Sequence, residues 1–210
     1  MWSKLRETLN GDDMMSLPPP QPDRVGSGPV IVLLHAVGAT RRMWDGIAGL
    51  AERFELLSYD FPADGEIDGL ADQLATVLTA EDITRAHIVG SSLGGMVAQC
   101  FAANFPERVD RLVLCDTTPA LSEGMRDTFL LSGSLHAAMA RADLMDLAEE
   151  IFAPTLVLCA EGADLAMREG ADFLARSIPR GQLAFVPGAV ADAVTERPDW
   201  ILRVLLDFLG

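Results

Sequence analysis

Ala86-His87-Ile88-Val89-Gly90-Ser91-Ser92-Leu93-Gly94-Gly95-Met96-Val97 is the stretch that decides the fold. Its first residues are a short apolar run that ends at Gly90, as a buried strand would. Residues 93–104 (LGGMVAQCFAAN) are small or apolar nearly all round, which predicts a helix buried on every side. Between the two, Gly90-x-Ser92-x-Gly94 leaves no room for anything but a tight strand-to-helix turn. Such a turn holds its serine in strained backbone geometry, and a side chain two residues before or after the serine would collide. It also aims the first N–H groups of the helix at the space in front of Ser92, where they can stabilise an oxyanion.

Working outward, further short apolar runs occur at Val30–Leu34, Phe54–Tyr59, Leu112–Cys115, Thr155–Cys159 and Leu183–Val186. They are β-branched-rich and alternate poorly, as expected of strands covered on both faces. Ile67, Leu70, Leu74, Val77 and Leu78 recur with helical spacing, and Trp200, Val204, Leu205 and Phe208 mark the apolar face of a last helix. Strands alternating with helices predict an α/β fold with a mainly parallel, doubly wound sheet of about six strands. Ligands of such sheets bind outside the carboxyl ends of the strands, which is where Ser92 falls.

Residues 1–28 differ in texture. Pro18-Pro19-Pro20 and Pro22 force extended backbone, so this stretch reads as an N-terminal arm, with residues 29–210 as the domain. Its apolar residues, Trp2, Leu5, Leu9, Met14, Met15 and Leu17, predict that residues 1–17 pack on the body, over the pocket or across a two-fold in a homodimer. The chain has 210 residues, half of them hydrophobic, which excludes wholesale disorder. With 31 acidic against 16 basic residues and no basic stripe, nucleic acid and anionic membranes are poor partners, and a small-molecule substrate is expected instead. No apolar run approaches the ~18 to 20 residues of a membrane span. Cys100, Cys115 and Cys159 sit in apolar segments without C-x-x-C spacing, so no metal site, no cofactor and a reducing cytoplasm are expected.

The sequence from about Gly26 to Gly210 resembles the α/β-hydrolase superfamily, and within it the 3-oxoadipate enol-lactonase-like group. The likeness is carried by the serine turn and by Leu33-Leu34-His35-Ala36-Val37-Gly38, Arg42-Met43-Trp44-Asp45, Phe105-Pro106-Glu107-Arg108-Val109, Pro154–Leu158 and Val186-Pro187-Gly188-Ala189. It implies that Ser92 is the nucleophile and that the backbone N–H groups of Val37 and Leu93 form the oxyanion hole. It further implies that Asp164, or Glu161, is the triad acid. Against the family pattern, the leading β-hairpin reads as missing and the cap as reduced to residues 117–152, with helices at Ser122 to Leu131 and Leu135 to Glu150.

The largest departure lies after Val186. The family continues Pro-Gly-Ala-Gly-His, whereas this chain reads Pro187-Gly188-Ala189-Val190-Ala191-Asp192, and no histidine follows His136. A serine at its free pKa is a weak nucleophile without a neighbouring base. His35 lies in the oxyanion loop and reads as structural or substrate-facing. His87 begins the strand that ends near Ser92, roughly 16 Å away. His136, in the cap segment, is the one candidate left for a stand-in base, and it also reads as a plain helix-surface histidine. Three functions follow from this sequence. The first is an α/β-hydrolase-fold enzyme doing non-hydrolytic chemistry (cyclase, lyase or isomerase type) on a small organic molecule, with Asp116, Asp164 or Asp192 moving protons, although each of the three also reads as a helix cap or turn. The alternatives are a Ser92-dependent esterase or lactonase with a displaced base, and a non-catalytic binding protein. Arg41 and Arg42 read either as a grip on a substrate carboxylate or as a solvated helix turn, and Ser91 and His35 are expected to line the pocket.

Overall fold

The computed structural model describes residues 20–210. The expected packing of residues 1–17 lies outside the described residues. Strands β1 (Asp23–Gly26), β2 (Val30–Leu34), β3 (Glu55–Ser58), β4 (Ala86–Ser91), β5 (Val109–Cys115), β6 (Thr155–Ala160) and β7 (Gly181–Val186) form a sheet ordered β1-β3-β2-β4-β5-β6-β7. All neighbours run parallel except β1, which pairs antiparallel with β3 from Asp23↔Ser58 to Gly26↔Glu55. β1 is the seventh strand, and it lies inside the segment that reads as arm. Four residues between prolines carry no strand signal of their own. What fixes them is tertiary: Arg24 pairs with Glu55 of β3 at 2.8 Å and with Glu81 at 3.0 Å. Gly26, at φ 91°, passes so close to Phe54 that a Cβ would sit 2.3 Å from its carbonyl oxygen.

Helices cover both faces. On one lie α1 (Ile67–Ala80), α2 (Leu93–Asn104) and α5 (Leu165–Ser177), packed with Val32, Leu34, Ile88, Leu112, Leu114 and Val157. On the other lie a 3₁₀ helix at Arg41–Glu52, α6 (Ala193–Glu196) and α7 (Pro198–Leu209), packed with Ile31, Leu33, Val89, Val113, Leu156 and Leu158. Alternate residues of the central strands thus feed two separate cores, which is why those strands read as continuous apolar runs.

The segment between β5 and β6 holds α3 (Glu123–Leu130), α4 (Ser134–Arg141) and a 3₁₀ helix at Met145–Glu150. The second helix expected there is therefore split. Ala142 turns extended at ψ 137°, and Asp143 bridges to Ala120, which costs the helix its continuity. Arg141 reaches across to Glu66 at the side of an open groove of about 540 Å³ between this segment and the loop before α1. Among the described residues, no helix is long and apolar enough to cross a membrane.

Candidate active site

β4 delivers Ser92 at its carboxyl end, and α2 begins at the next residue. Ser92 has φ 51° and ψ −112°, a left-handed backbone rare for a residue with a side chain. The strain is held by bonds on every side. Ser92 N donates to Cys115 O at 3.0 Å, and Gly94 N donates to His35 O at 3.1 Å. The Thr117 hydroxyl donates to Ser92 O at 2.9 Å. A Cβ on Gly90 would lie 2.3 Å from Gly94 O, and one on Gly94 would lie 2.2 Å from Leu34 O. Both glycines are required by backbone approaching backbone, as the spacing predicts.

The loop after β2 completes the site. The Phe61 N–H donates to His35 Nε2 at 2.9 Å, so that nitrogen is the acceptor. Nδ1 then carries the proton and donates to Ala36 O at 2.8 Å. The Ala36 amide donates to Met43 Sδ at 3.2 Å. The carbonyl of the Ala36–Val37 peptide is thereby anchored, and its N–H, on Val37, points the opposite way. Among the described residues, neither the Val37 nor the Leu93 amide donates to a protein acceptor. Two unspent donors beside a half-buried serine hydroxyl can bind a carbonyl oxygen that is gaining charge.

Residues 29–150, more than half of the sequence, match the alpha/beta hydrolase fold family. The chain belongs to this family. An uncharacterized protein of Mycobacterium tuberculosis is 41% identical over 99 residues, covering 42% of this chain and 29% of that protein. The pimeloyl-[acyl-carrier protein] methyl ester esterase of Nitrosomonas europaea is 36% identical over 120 residues, covering 51% of this chain and 47% of the esterase. The chain thus spans less than half the length of these curated relatives. Among solved structures, the enol-lactonase of Burkholderia xenovorans superposes with a TM-score of 0.79 at 22% identity, over 90% of this chain and 95% of that one. That likeness is one of fold.

Within the α/β-hydrolase frame, the other site residues fall as follows. Asp116, immediately after β5, is left-handed at φ 44° and 6% exposed. Its Oδ1 accepts from Ala160 N and its Oδ2 from Ala193 N, each at 2.8 Å. Burial pushes its carboxyl up to about 6 against the pull of those two amides, with Asp192 and Glu196 adding to the rise. Asp164 caps α5 by accepting from Met167 N at 2.8 Å, and Asp192 caps α6 by accepting from Thr195 N at 3.2 Å. Glu161 accepts from Gly188 N at 3.0 Å. All four carboxylates are therefore engaged with backbone amides.

No described side chain hydrogen-bonds to Ser92 Oγ. His35 has both ring nitrogens engaged, as a structural residue of the oxyanion loop. His87 lies at the amino end of β4, away from Ser92. His136, on α4, packs edge-on against Phe129 with centroids 5.1 Å apart and makes no bond to Ser92. Arg41 is tied to Asp23 at 2.6 Å and to Asp60 at 3.0 Å, so it is not a free carboxylate grip, whereas Arg42 is exposed beside it. Ser91 is 2% exposed and thus buried beside the turn.

Glu196 escapes the sequence reading altogether. Its carboxylate accepts from the amides of Val190, Ala191 and Asp192 at 2.8 to 2.9 Å, and those bonds pull its pKa down. The loop that carries Ala191 is thus wrapped around one acidic side chain. Asp192-x-x-Thr195 signals the helix N-cap, but no local spacing marks Glu196 as the acceptor for three loop amides. Among the described residues, no three His, Cys, Asp or Glu side chains converge as a metal site would require.

Proposed function

We propose that the protein is a serine-dependent ester or lactone hydrolase of low turnover, acting on a small carboxylic ester at Ser92. One observation carries this reading: Ser92 sits at φ 51° and ψ −112° with the Val37 and Leu93 amides unspent beside it. That is the arrangement for attack on a carbonyl, with the developing oxyanion held by two N–H groups. Relatives named as methyl ester esterases favour ester chemistry over the cyclase, lyase or isomerase reading. The non-hydrolytic reading also needs an acid free to move a proton, and Asp116, whose pKa is lifted, spends both oxygens on Ala160 and Ala193.

Low turnover follows from an incomplete triad. Ala191 stands where the family's histidine would, so no imidazole takes the Ser92 proton or activates water afterwards. Oxyanion donors and binding alone retain a residual ~10³ to 10⁴ over water in triad systems. Activated esters, whose leaving group departs as a stable anion, are the substrates that tolerate this loss. The reduced cap, two short helices and a 3₁₀ turn, suits small acyl groups. Incubation with p-nitrophenyl acetate tests the proposal by intact-protein and peptide mass spectrometry. An acetyl adduct on Ser92, with release of nitrophenolate in a burst and then slowly, is expected. Absence of the adduct, with hydrolysis equal to that of Ser92→Ala, overturns it in favour of a binding protein.

A further inference from the structure

At the opposite end of the sheet from Ser92, the amino ends of β4 to β7 and the last turn of α7 border an open concavity of about 570 Å³. That volume lies within the range of small-molecule sites. His87, Arg85, Arg111 and Arg180 line it, with Asp110, Gln182, Asp207 and Phe208. The chain as a whole carries −15, so a cavity lined by three arginines stands out against its surroundings. Arg85 is already used: it pairs with Asp110 at 2.8 Å and donates to Val109 O at 3.2 Å. Arg111 lies 5.5 Å from the centroid of the Phe208 ring, which fixes its guanidinium without neutralising it. Arg180 makes no hydrogen bond or ion pair through its side chain among the described residues. Asp207, exposed on α7, leaves the lining with a net charge of about one positive unit once the Arg85–Asp110 pair is set aside.

His87 sharpens the chemistry. The residue is 7% exposed, and its Nδ1 is fully buried with no partner. An orphaned N–H costs more than an orphaned lone pair on a ring that has another nitrogen to protonate, so the proton resides on Nε2. Nε2 has no protein acceptor and is not sealed off as Nδ1 is, so it meets the cavity. Burial also lowers the ring's pKa, with Arg111 and Arg85 adding to that fall and Asp110 opposing it. The ring therefore offers one neutral N–H donor to a concavity also lined by Arg180 and Arg111, neither of which is in an ion pair among the described residues.

We propose that this concavity binds a small organic monocarboxylate, its carboxylate held by Arg180 and Arg111 with His87 Nε2–H donating, and its apolar body on Phe208. A single negative charge matches the local excess, and a planar carboxylate matches the planar donors. The site is separate from the Ser92 pocket and stands or falls independently of the hydrolase reading.

Benzoate is the probe. Titration into the full chain, followed through the His87 ring resonances by NMR, should shift those resonances and raise the ring's pKa. Arg180→Gln should weaken the binding by at least about tenfold while leaving Ser92 acylation unchanged. Ser92→Ala should leave benzoate binding unchanged. No shift of the His87 resonances up to about 10 mM benzoate, or the same affinity in Arg180→Gln, overturns the proposal. Inorganic phosphate binding as tightly as benzoate also overturns it, since the site would then be a general anion patch.

Discussion

Asp116 Oδ2 accepts a 2.8 Å hydrogen bond from the amide of Ala193, across 77 residues of sequence. Its other oxygen holds Ala160 N at the end of β6, so one buried carboxylate ties the ends of β5 and β6 to the segment that follows Ala191. This gives a residue that reads as a proton donor a structural task, and it makes that segment's anchorage sensitive to pH.

Burial lifts the Asp116 carboxyl from 3.8 to about 6, so the native protein binds its proton more readily than the unfolded chain between those values. Stability from this group accordingly increases as pH falls from about 6 to about 4, by up to about 3 kcal/mol, and is lost again as pH rises. Urea midpoints taken from pH 7 down to pH 4 should show that contribution in the wild type and not in Asp116→Asn. Identical pH dependence in the two proteins would assign the titration elsewhere.

Gly94→Ala should break the serine turn. Its new Cβ would stand 2.2 Å from Leu34 O and 2.8 Å from His35 O, backbone atoms that have nowhere to go. A loss of about 2 kcal/mol or more is expected, with loss of Ser92 labelling by a fluorophosphonate. Gly69→Ala, where a Cβ meets nothing within 4 Å on α1, is the matched control and should be neutral or stabilising.

His35→Ala frees the Phe61 amide and the Ala36 carbonyl at once. Thermal melts should fall by the equivalent of about 1 to 3 kcal/mol. Acylation of Ser92 should slow about tenfold to a hundredfold beyond that, because the Val37 N–H loses its fixed aim. Unchanged acylation in a protein that is still folded would remove Val37 from the oxyanion hole.

Ala191→His should restore a base. Ala191 is exposed, and its amide stays on Glu196 Oε1 whatever its side chain. Steady-state release of p-nitrophenol should rise at least about tenfold, with a new pH limb near 6.5. A rate equal to wild type would show that the side chain at 191 does not face Ser92.

Much of this architecture is written locally. The turn at Gly90–Gly94 was legible because steric exclusion around Ser92 acts between residues two apart. The strand at Val30–Leu34 and the helix at Leu93–Asn104 have the bounds their apolar runs suggest, since burial on every side leaves an unbroken apolar run in the residues themselves. That no histidine follows His136 is likewise a fact of the sequence alone.

Other features depend on partners far along the chain. β1 became a strand because β3 offered it a free edge and Arg24 found Glu55 and Glu81. Asp116, Asp164 and Asp192 read alike as acids near strand ends, yet one is buried between two distant amides and the others cap helices. Arg41 lost its freedom to Asp23 and Asp60, and Glu196 gained three amides. The sequence by itself determined where backbone sterics and periodicity act, because those forces reach only a few residues. Tertiary structure decided which charges are spent, because hydrogen bonds and desolvation depend on what lies across the fold.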